Sequence, residues 1–359
     1  MTAVTHAEFH ADTESLDVAD AFAGSIRGRS IIITGVNRGG IGFTTAQAFA
    51  SQSPSHIIIT GRSPTKLQES IEALRKEYPS VQYVGLKLDL SNQKSVREAA
   101  AEVLAMKDVP TIDILVNNAG VMLIPERTLS VDGIEMHFAT NHVGHFLFTN
   151  LILPKLIKAA EGRPKGATRV VNVTSSSPLS AGVRFSDINF ERANKTLPDD
   201  EQPQYEALKN WGETDPENKS YFPREGYNQS KVANLLFSIG FNARYYDKYG
   251  LLSLAVNPGV IATELQRHFS PETATALQAW AKSGAVHMKT QGAGAATSLV
   301  AATDPGLGLP VVKDGKENYG AYLSDCQING GANARAVSKS NADRLWKLSE
   351  ELVGEEFPQ

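Results

Sequence analysis

Short blocks of aliphatic residues alternate along this chain with longer segments whose apolar positions recur every three or four residues. Ile31-Ile32-Ile33 is the first block, and residues 56–60, 81–88 and 112–116 repeat the pattern. Between the second and third blocks, Leu67, Ile71 and Leu74 share one face of a helix predicted over 64–78. Another helix is predicted from Ser91, a suitable N-cap, to about 106. The second half keeps the rhythm: a helix over 133–160, a strand over 169–173, a helix over 227–249 and a strand over 251–256. A helix over 291–302, a last strand over 319–323 and a closing helix over 342–353 follow, the last with Leu345, Leu348 and Leu352 on one face. Near-continuous apolar strands separated by helices point to an α/β fold with a parallel sheet, because parallel neighbours need a crossover between them.

Three stretches break the rhythm. Residues 1–25 are acidic and aperiodic, so a mostly mobile arm is expected before the domain at 26–359, with Phe9 and Phe22 as the residues able to dock it. Residues 183–226, rich in Asp, Glu, Asn and Pro, read as an insertion with one short helix near 205–211. Residues 264–290 read as a mobile helical flap. Composition changes this picture little, since 42% hydrophobic and 21% charged over 359 residues are ordinary globular values. A formal net charge of −4 gives no basis for a nucleic-acid partner or an anionic membrane surface. Cys326 is the single cysteine, which excludes an intrachain disulfide and a multi-cysteine metal site. The first twenty residues lack the basic and apolar blocks of a secretory signal. The most apolar window, 146–157, is too short for a bilayer and contains Pro154 and Lys155. A cytoplasmic chain without a membrane span is expected.

In an open α/β sheet, ligands bind beyond the carboxyl ends of the strands. Gly35, Arg62, Asp89, Asn117, Ser175 and Pro258 all fall at such ends. The stretch TGVNRGGIG at 34–42 joins a strand to a helix through glycines, which let the backbone approach an anion while free N–H groups of the helix start point at it. Arg62 follows about twenty residues later, where an acidic residue would take a ribose 2′-hydroxyl and a guanidinium suits a 2′-phosphate. Asp89 either accepts from an adenine amino group or caps a helix. Tyr227 and Lys231 lie four apart and share a helix face, and an ammonium beside a phenol lowers the phenol's pKa toward a range useful for acid–base chemistry. The hydroxyl run Thr174-Ser175-Ser176-Ser177 ends the strand before that helix. His137, His142 and His145 sit close together, but no thiol or metal-binding spacing accompanies them; packing or capping roles are expected, and no metal.

These stretches, with GRSPTKL (61–67), LDLSN (88–92), NNAGVM (117–122), VDGIEMHFATNHVGHFLFTNLIL (131–153), RVVNVTSS (169–176), YNQSKVANLL (227–236) and NPGVIATEL (257–265), run in one order over residues 30–265. Together they resemble the short-chain dehydrogenase/reductase superfamily, and within it the retinol-dehydrogenase-like branch. The resemblance implies a single doubly wound Rossmann domain with a largely parallel seven-stranded sheet, order 3-2-1-4-5-6-7, and helices on both faces. It implies a tetrad of Asn141, Ser175, Tyr227 and Lys231: Tyr227 as general acid, Ser175 holding the carbonyl oxygen, Lys231 holding the nicotinamide ribose and acidifying Tyr227, Asn141 anchoring a water. It implies NADP(H) as cofactor, contacted by the turn residues Gly35, Asn37, Arg38, Gly39, Gly40, Ile41 and Gly42, and by Arg62, Asp89 and Leu90. Further contacts come from Asn118, Ala119 and Gly120, from Tyr227 and Lys231, and from Pro258, Gly259, Ile261 and Thr263.

The expected activity is carbonyl reduction or alcohol oxidation on an apolar small ketone, aldehyde or secondary alcohol. Two departures matter. The last glycine of the turn comes one residue late, so either Gly40-Ile41-Gly42 keeps the family's role or Gly39 and Gly42 mimic epimerase-like relatives. The interval from Ser175 to Tyr227 is also longer than usual, which leaves the substrate pocket open. An NADP(H)-dependent epimerase or dehydratase and a non-catalytic NADP(H) sensor are the competing expectations. Helices 133–160 and 227–249 carry apolar residues over more surface than one sheet face covers (Phe146, Phe148, Leu151, Leu235, Leu236, Phe237, Phe241), which predicts pairing into a homodimer.

Overall fold

Ile31, Ile32 and Ile33 are fully buried, as a strand covered on both faces requires. They form β1 (Ser30–Ile33), which pairs in parallel with β2 (His56–Gly61) on one side and β4 (Ile114–Asn117) on the other. β3 (Gln82–Lys87) closes the first edge, and β5 (Thr168–Val173), β6 (Leu251–Asn257) and β7 (Tyr322–Ser324) extend the sheet beyond β4. The order 3-2-1-4-5-6-7 is the expected one. One antiparallel edge strand, β8 (Gln327–Ile328), is added beside β7. The chain reverses its direction of travel between β1 and β4, which opens a crevice above their carboxyl ends. These features are those of a computed structural model that describes residues 2–210, 212–269 and 271–358.

Each face of the sheet carries its own apolar core. One includes Phe138, Phe146, Phe237, Tyr245 and Trp346; the other includes Val18, Phe49, Leu74, Leu254 and Leu299. The predicted helix over 133–160 is divided. It begins at Met136, where the Glu135 side chain accepts from Phe138 N, passes through a π-helical turn (Ala139–Val143) and continues as Gly144–Leu151. A second helix, Leu153–Ala160, starts afresh because Pro154 cannot donate to the preceding turn. Gly144 marks a close crossing: a Cβ there would meet the Leu90 carbonyl oxygen at 2.3 Å. The cap of the helix Gln93–Ala105 is Asn92, whose side chain accepts from Lys94 N and Ser95 N, whereas Ser91 bonds Asp89. In the insertion, a short helix spans Tyr205–Asn210, and Trp211 lies outside the described residues.

The N-terminal arm is docked, against the expectation of a mobile tail. A helix, Ser15–Ala21, packs on the helices Gln291–Thr303 and Ile41–Ala50, and Phe22 is buried with Phe9 and His6 stacked beside it. Polar contacts finish the attachment: Thr5 to Asp304, Asp12 to His287 (2.6 Å) and Glu14 to Thr290 (2.5 Å). Such long-range pairs leave no periodic trace in sequence. The apolar surface that predicted a homodimer is also covered within the chain. Phe146, Phe237 and Phe241 are buried, and Trp346 of the closing helix Lys339–Val353 packs on Phe146 and Phe237 at 4.9 and 5.9 Å between ring centroids.

Arg169 shows how the second core tolerates charge. From the middle of the sheet it donates to the carbonyls of Gly166 (2.7 Å), Ala301 (2.8 Å), Asp304 (2.7 Å) and Leu307 (3.3 Å). Burial lowers its guanidinium to about 10, and the Asp304 carboxylate works in the opposite direction. The cation closes the C-terminal end of Gln291–Thr303, where the helix dipole favours positive charge. Arg169→Met keeps the volume but strands four carbonyls, so stability should fall by about 3–5 kcal/mol. Urea unfolding of the two proteins measures this, and an unchanged midpoint would contradict the role.

Candidate active site

The glycine turn following β1 is shaped by two contacts. Gly35 has φ of +69°, and a Cβ on it would come within 2.6 Å of Ala119 Cα. A Cβ on Gly42 would lie 2.5 Å from Asn118 Nδ2 and 3.0 Å from the Gly35 carbonyl. Gly39 and Gly40 are less constrained, with nearest approaches of 3.4 and 3.3 Å to side chains of Glu264 and Asn37. Gly35 and Gly42 are therefore the glycines that the fold requires, and Gly40 stands just before the helix Ile41–Ala50 in extended conformation. Asn118 braces the turn by donating to the carbonyls of Thr34 (2.8 Å) and Gly35 (3.3 Å). The Thr34 hydroxyl accepts from the N–H groups of Asn118 and Ala119, which ties β1 to the end of β4.

A cleft of about 890 Å³ runs from this turn across the carboxyl rim. Asn37, Gly40, Ile41, Arg62, Asp89 and Leu90 line one end; Gly120, Ser175, Tyr227 and Lys231 line the middle; Pro258, Gly259, Ile261 and Thr263 line the far wall. Of the expected site residues, Arg38 and Gly39 are not on its wall, and Asn141 lies beneath it, fully buried. Asp89 takes part in a turn as well, since one carboxylate oxygen accepts from Ser91 N (3.0 Å) and Ser91 Oγ (2.7 Å). Charged wall residues outside the expected site include Lys66, Glu264 and Arg267. Lys66 and Glu264 form an ion pair across the mouth at 3.2 Å. Only folding brings positions 198 residues apart together.

Ser175, Tyr227 and Lys231 meet where the helix Pro223–Tyr249 crosses the end of β5. Ser175 sits beside the Tyr227 phenol, and Lys231 Nζ lies 5.7 Å from the Tyr227 ring centre. A seam of buried polar bonds fixes the helix on the strand. The Val173 carbonyl accepts from Lys231 Nζ (2.9 Å) and Asn234 Nδ2 (3.0 Å), and Thr174 Oγ1 donates to the Lys231 carbonyl (2.6 Å). Asn172 donates to Ser238 and Ser253, and Asn242 bonds both backbone groups of Ser253. The hydroxyl run thus divides: Thr174 is structural, Ser175 faces the cleft, Ser176 is exposed and Ser177 is buried.

Asn141 sits in the π-helical turn and bonds both backbone groups of Val121, through Oδ1 at 2.8 Å and Nδ2 at 3.0 Å. Its Nδ2 also donates to Ser230 Oγ at 2.9 Å, linking the turn to the Tyr227 helix. The three histidines have separate duties. His145 donates through Nδ1 to the Asn141 carbonyl and accepts at Nε2 from Thr34; burial lowers it to about 4. His142 bonds Ser349, and burial lowers it to about 3. His137 donates to Glu135 and accepts from Ile124 N, which steadies the loop where Leu123 holds φ of +51°. Among the described residues no group of three or more His, Cys, Asp or Glu could hold an ion.

The electrostatics correct one expectation. Desolvation pushes the Tyr227 phenol up to about 12 and brings Lys231 down to about 8. Burial outweighs the Lys231 ammonium, whose Nζ lies 5.7 Å from the ring centre and donates to the Val173 carbonyl.

The profile of the short chain dehydrogenase family matches residues 29–186. The oxidoreductase fscI of Fusarium equiseti is 41% identical over 251 residues, which cover 70% of this chain and 94% of that protein. Retinol dehydrogenase 12 of Mus musculus is 32% identical over 339 residues, covering 92% and 87%. The solved structure of NADPH bound carbonyl reductase from chicken fatty liver superposes with a TM-score of 0.53 over 84% of this chain and 99% of that one; at 19% identity it speaks to fold alone. No helix among the described residues is long and apolar enough to cross a membrane.

The lowered Lys231 sets a pH dependence. Its ammonium is present below about 8 and lost above it, so the affinity for an anionic dinucleotide should decline as pH rises through that value. Lys231→Met should bind more weakly and show no such decline. Fluorescence titrations from about pH 7 to 9 compare the two, and parallel profiles would remove Lys231 from the binding site.

Proposed function

The chain belongs to the short-chain dehydrogenase family and is an oxidoreductase of that family, and from this premise we propose an NADP(H)-dependent reductase of apolar ketones or aldehydes. The observation that carries the reading is the meeting of Ser175, Tyr227 and Lys231 on one wall of a cleft whose other end holds Arg62 and Lys66. The cleft fits the cofactor on its own terms: the glycine turn, packed against Asn118 and Ala119 too closely for a Cβ on Gly35 or Gly42, brings backbone to its wall, and the volume suits a dinucleotide with a small substrate. Gly40, Ile41 and Gly42 would hold the pyrophosphate at the helix start, Arg62 the 2′-phosphate, and Lys231 the nicotinamide ribose. Bound NADPH would supply the hydride.

Tyr227 holds the proton that the nascent alkoxide needs. At about 12 the phenol is protonated at neutral pH, the form required for reduction. Ser175, beside the phenol, would take the carbonyl oxygen as a second donor. Lys231 contributes positive charge close by, and Asn141 fixes the π-helical turn beneath. The substrate end is apolar, with Val121, Met122, Leu123, Phe269, Leu277 and Val286 on its wall, which favours a hydrophobic carbonyl compound and excludes water around the developing charge.

NADPH oxidation measured over a panel of ketones and aldehydes tests the activity. Tyr227→Phe keeps the ring and removes the proton, so kcat should fall about 10²–10⁴-fold while NADPH affinity stays near that of the wild type. Retained turnover would refute the acid assignment. Arg62→Ala should weaken NADP(H) binding by about 1.5–3 kcal/mol and leave NAD(H) binding nearly unchanged. A wild type that prefers NAD(H) would overturn the cofactor choice.

A further inference from the structure

A hydrogen-bonded chain leads away from Ser175 on the side opposite Tyr227. Ser175 Oγ and Ser177 Oγ are 2.7 Å apart, and Ser177 N also donates to Ser175 Oγ at 3.0 Å. Ser177 Oγ is 2.8 Å from Asn228 Oδ1, and Asn228 Nδ2 donates to Glu225 Oε1 at 3.1 Å. Beyond Glu225 lies a second, polar cavity of about 100 Å³, large enough for water. None of these links belongs to the acid, its hydride partner or the cofactor cradle.

The chain has a direction. An ionised Glu225 only accepts, so it requires the amide N–H₂ of Asn228. The Asn228 carbonyl then faces Ser177, which must donate to it. Ser177 has a single proton, so in the 2.7 Å contact Ser175 is the donor. Thus, while Glu225 is ionised, the one proton of Ser175 points at Ser177, away from the position of a carbonyl beside Tyr227. A protonated Glu225 can donate to the Asn228 carbonyl instead. After an amide flip and hydroxyl rotations, Asn228 donates to Ser177, Ser177 donates to Ser175, and the Ser175 proton is free for the substrate oxygen. No proton travels along the chain; Glu225 exchanges one with solvent and the other groups turn.

We infer that Glu225, acting through Asn228 and Ser177, is a positioning residue that decides whether Ser175 offers its proton to the carbonyl. The inference rests on the reductase reading. Burial raises the Glu225 carboxyl above its usual range, and its bond from Asn228 and the charges of Arg224 and Arg184 oppose that rise. Arg184, Arg224, Arg335, Asp200 and Glu201 are the charged groups that share its cavity.

The test does not depend on turnover. With 3,5-difluorotyrosine at position 227, a more acidic phenol, ¹⁹F NMR follows its ionisation in the cofactor-free protein. Glu225→Gln should let Ser175 donate to the phenolate, so the phenol should ionise about three- to tenfold more readily, the worth of one hydrogen bond. Ser177→Ala cuts the chain, so adding Glu225→Gln to it should produce no further change. An unmoved phenol in Glu225→Gln overturns the inference. So does an effect that persists in the Ser177→Ala background, since Glu225 would then act by charge alone. In the NADPH-dependent reduction of 4-nitrobenzaldehyde, the wild-type rate should decline as pH rises through the Glu225 titration, and Glu225→Gln should lack that limb. Absence of turnover over the whole carbonyl panel would count against the reductase reading, while the NMR result would still judge the chain.

Discussion

The docking of the helix Pro223–Tyr249 on β5 is the constraint on which the site depends. Apolar helix–sheet contacts tolerate sliding, because dispersion and burial are nearly indifferent to small shifts along the axis. Buried hydrogen bonds are not indifferent, since each lost partner leaves a desolvated polar atom. Here the Val173 carbonyl receives two side chains of the helix, Thr174 returns a bond to its backbone, and Asn172 and Asn242 reach across to Ser238 and Ser253. A shift of one turn would break all of them together. Tyr227 and Ser175 come from segments 52 positions apart, yet the seam holds them side by side.

The same seam has an electrostatic consequence. By sealing Lys231 under the end of β5 it takes the ammonium out of water, and the phenol beside it is desolvated as well. Desolvation moves the two groups in opposite directions on the pH scale and the same way chemically, toward neutrality. In the proposed reduction this setting favours a proton given over a proton taken. Polar density continues under the site through Asn141, His145 and Thr34, where every hydrogen of the small network has an acceptor.

The strand order and the residues that meet in the cleft were legible in the sequence because each rests on a local pattern. Apolar runs mark the strands, and glycines mark the turn where Gly35 and Gly42 admit no side chain. Tyr227 and Lys231 are one helical turn apart. What escaped depends on partners distant in sequence. The arm looked mobile because its attachment uses single contacts to Asp304, His287 and Thr290, and the apolar faces of two long helices looked unpaired because Trp346 arrives 200 residues after Phe146 and 109 after Phe237. The cap at Asn92 in place of Ser91 is a local miss: either side chain could serve, and Asp89 captured the serine. The phenol's pKa was misjudged for another reason, since a sequence gives the proximity of a charge and not its exposure.

The flap has a further property that follows from how its ends are held. Val260–Ile261 pairs in parallel with Met288–Lys289, so the chain leaves and re-enters the body at nearly the same place. Lys289 is buried and ion-paired with Asp325 at 2.5 Å, while Thr263 caps the first turn beyond the other end. A loop closed at its neck resembles a module on a single stalk. Lengthening or shortening it changes closure entropy only slowly with size and leaves the sheet, the glycine turn and the tyrosine helix untouched. Phe269, Leu277 and Val286 of this module line the cleft at the end proposed for the substrate. Substrate range can thus diverge by rewriting one excursion of the chain, with the chemistry inherited unchanged.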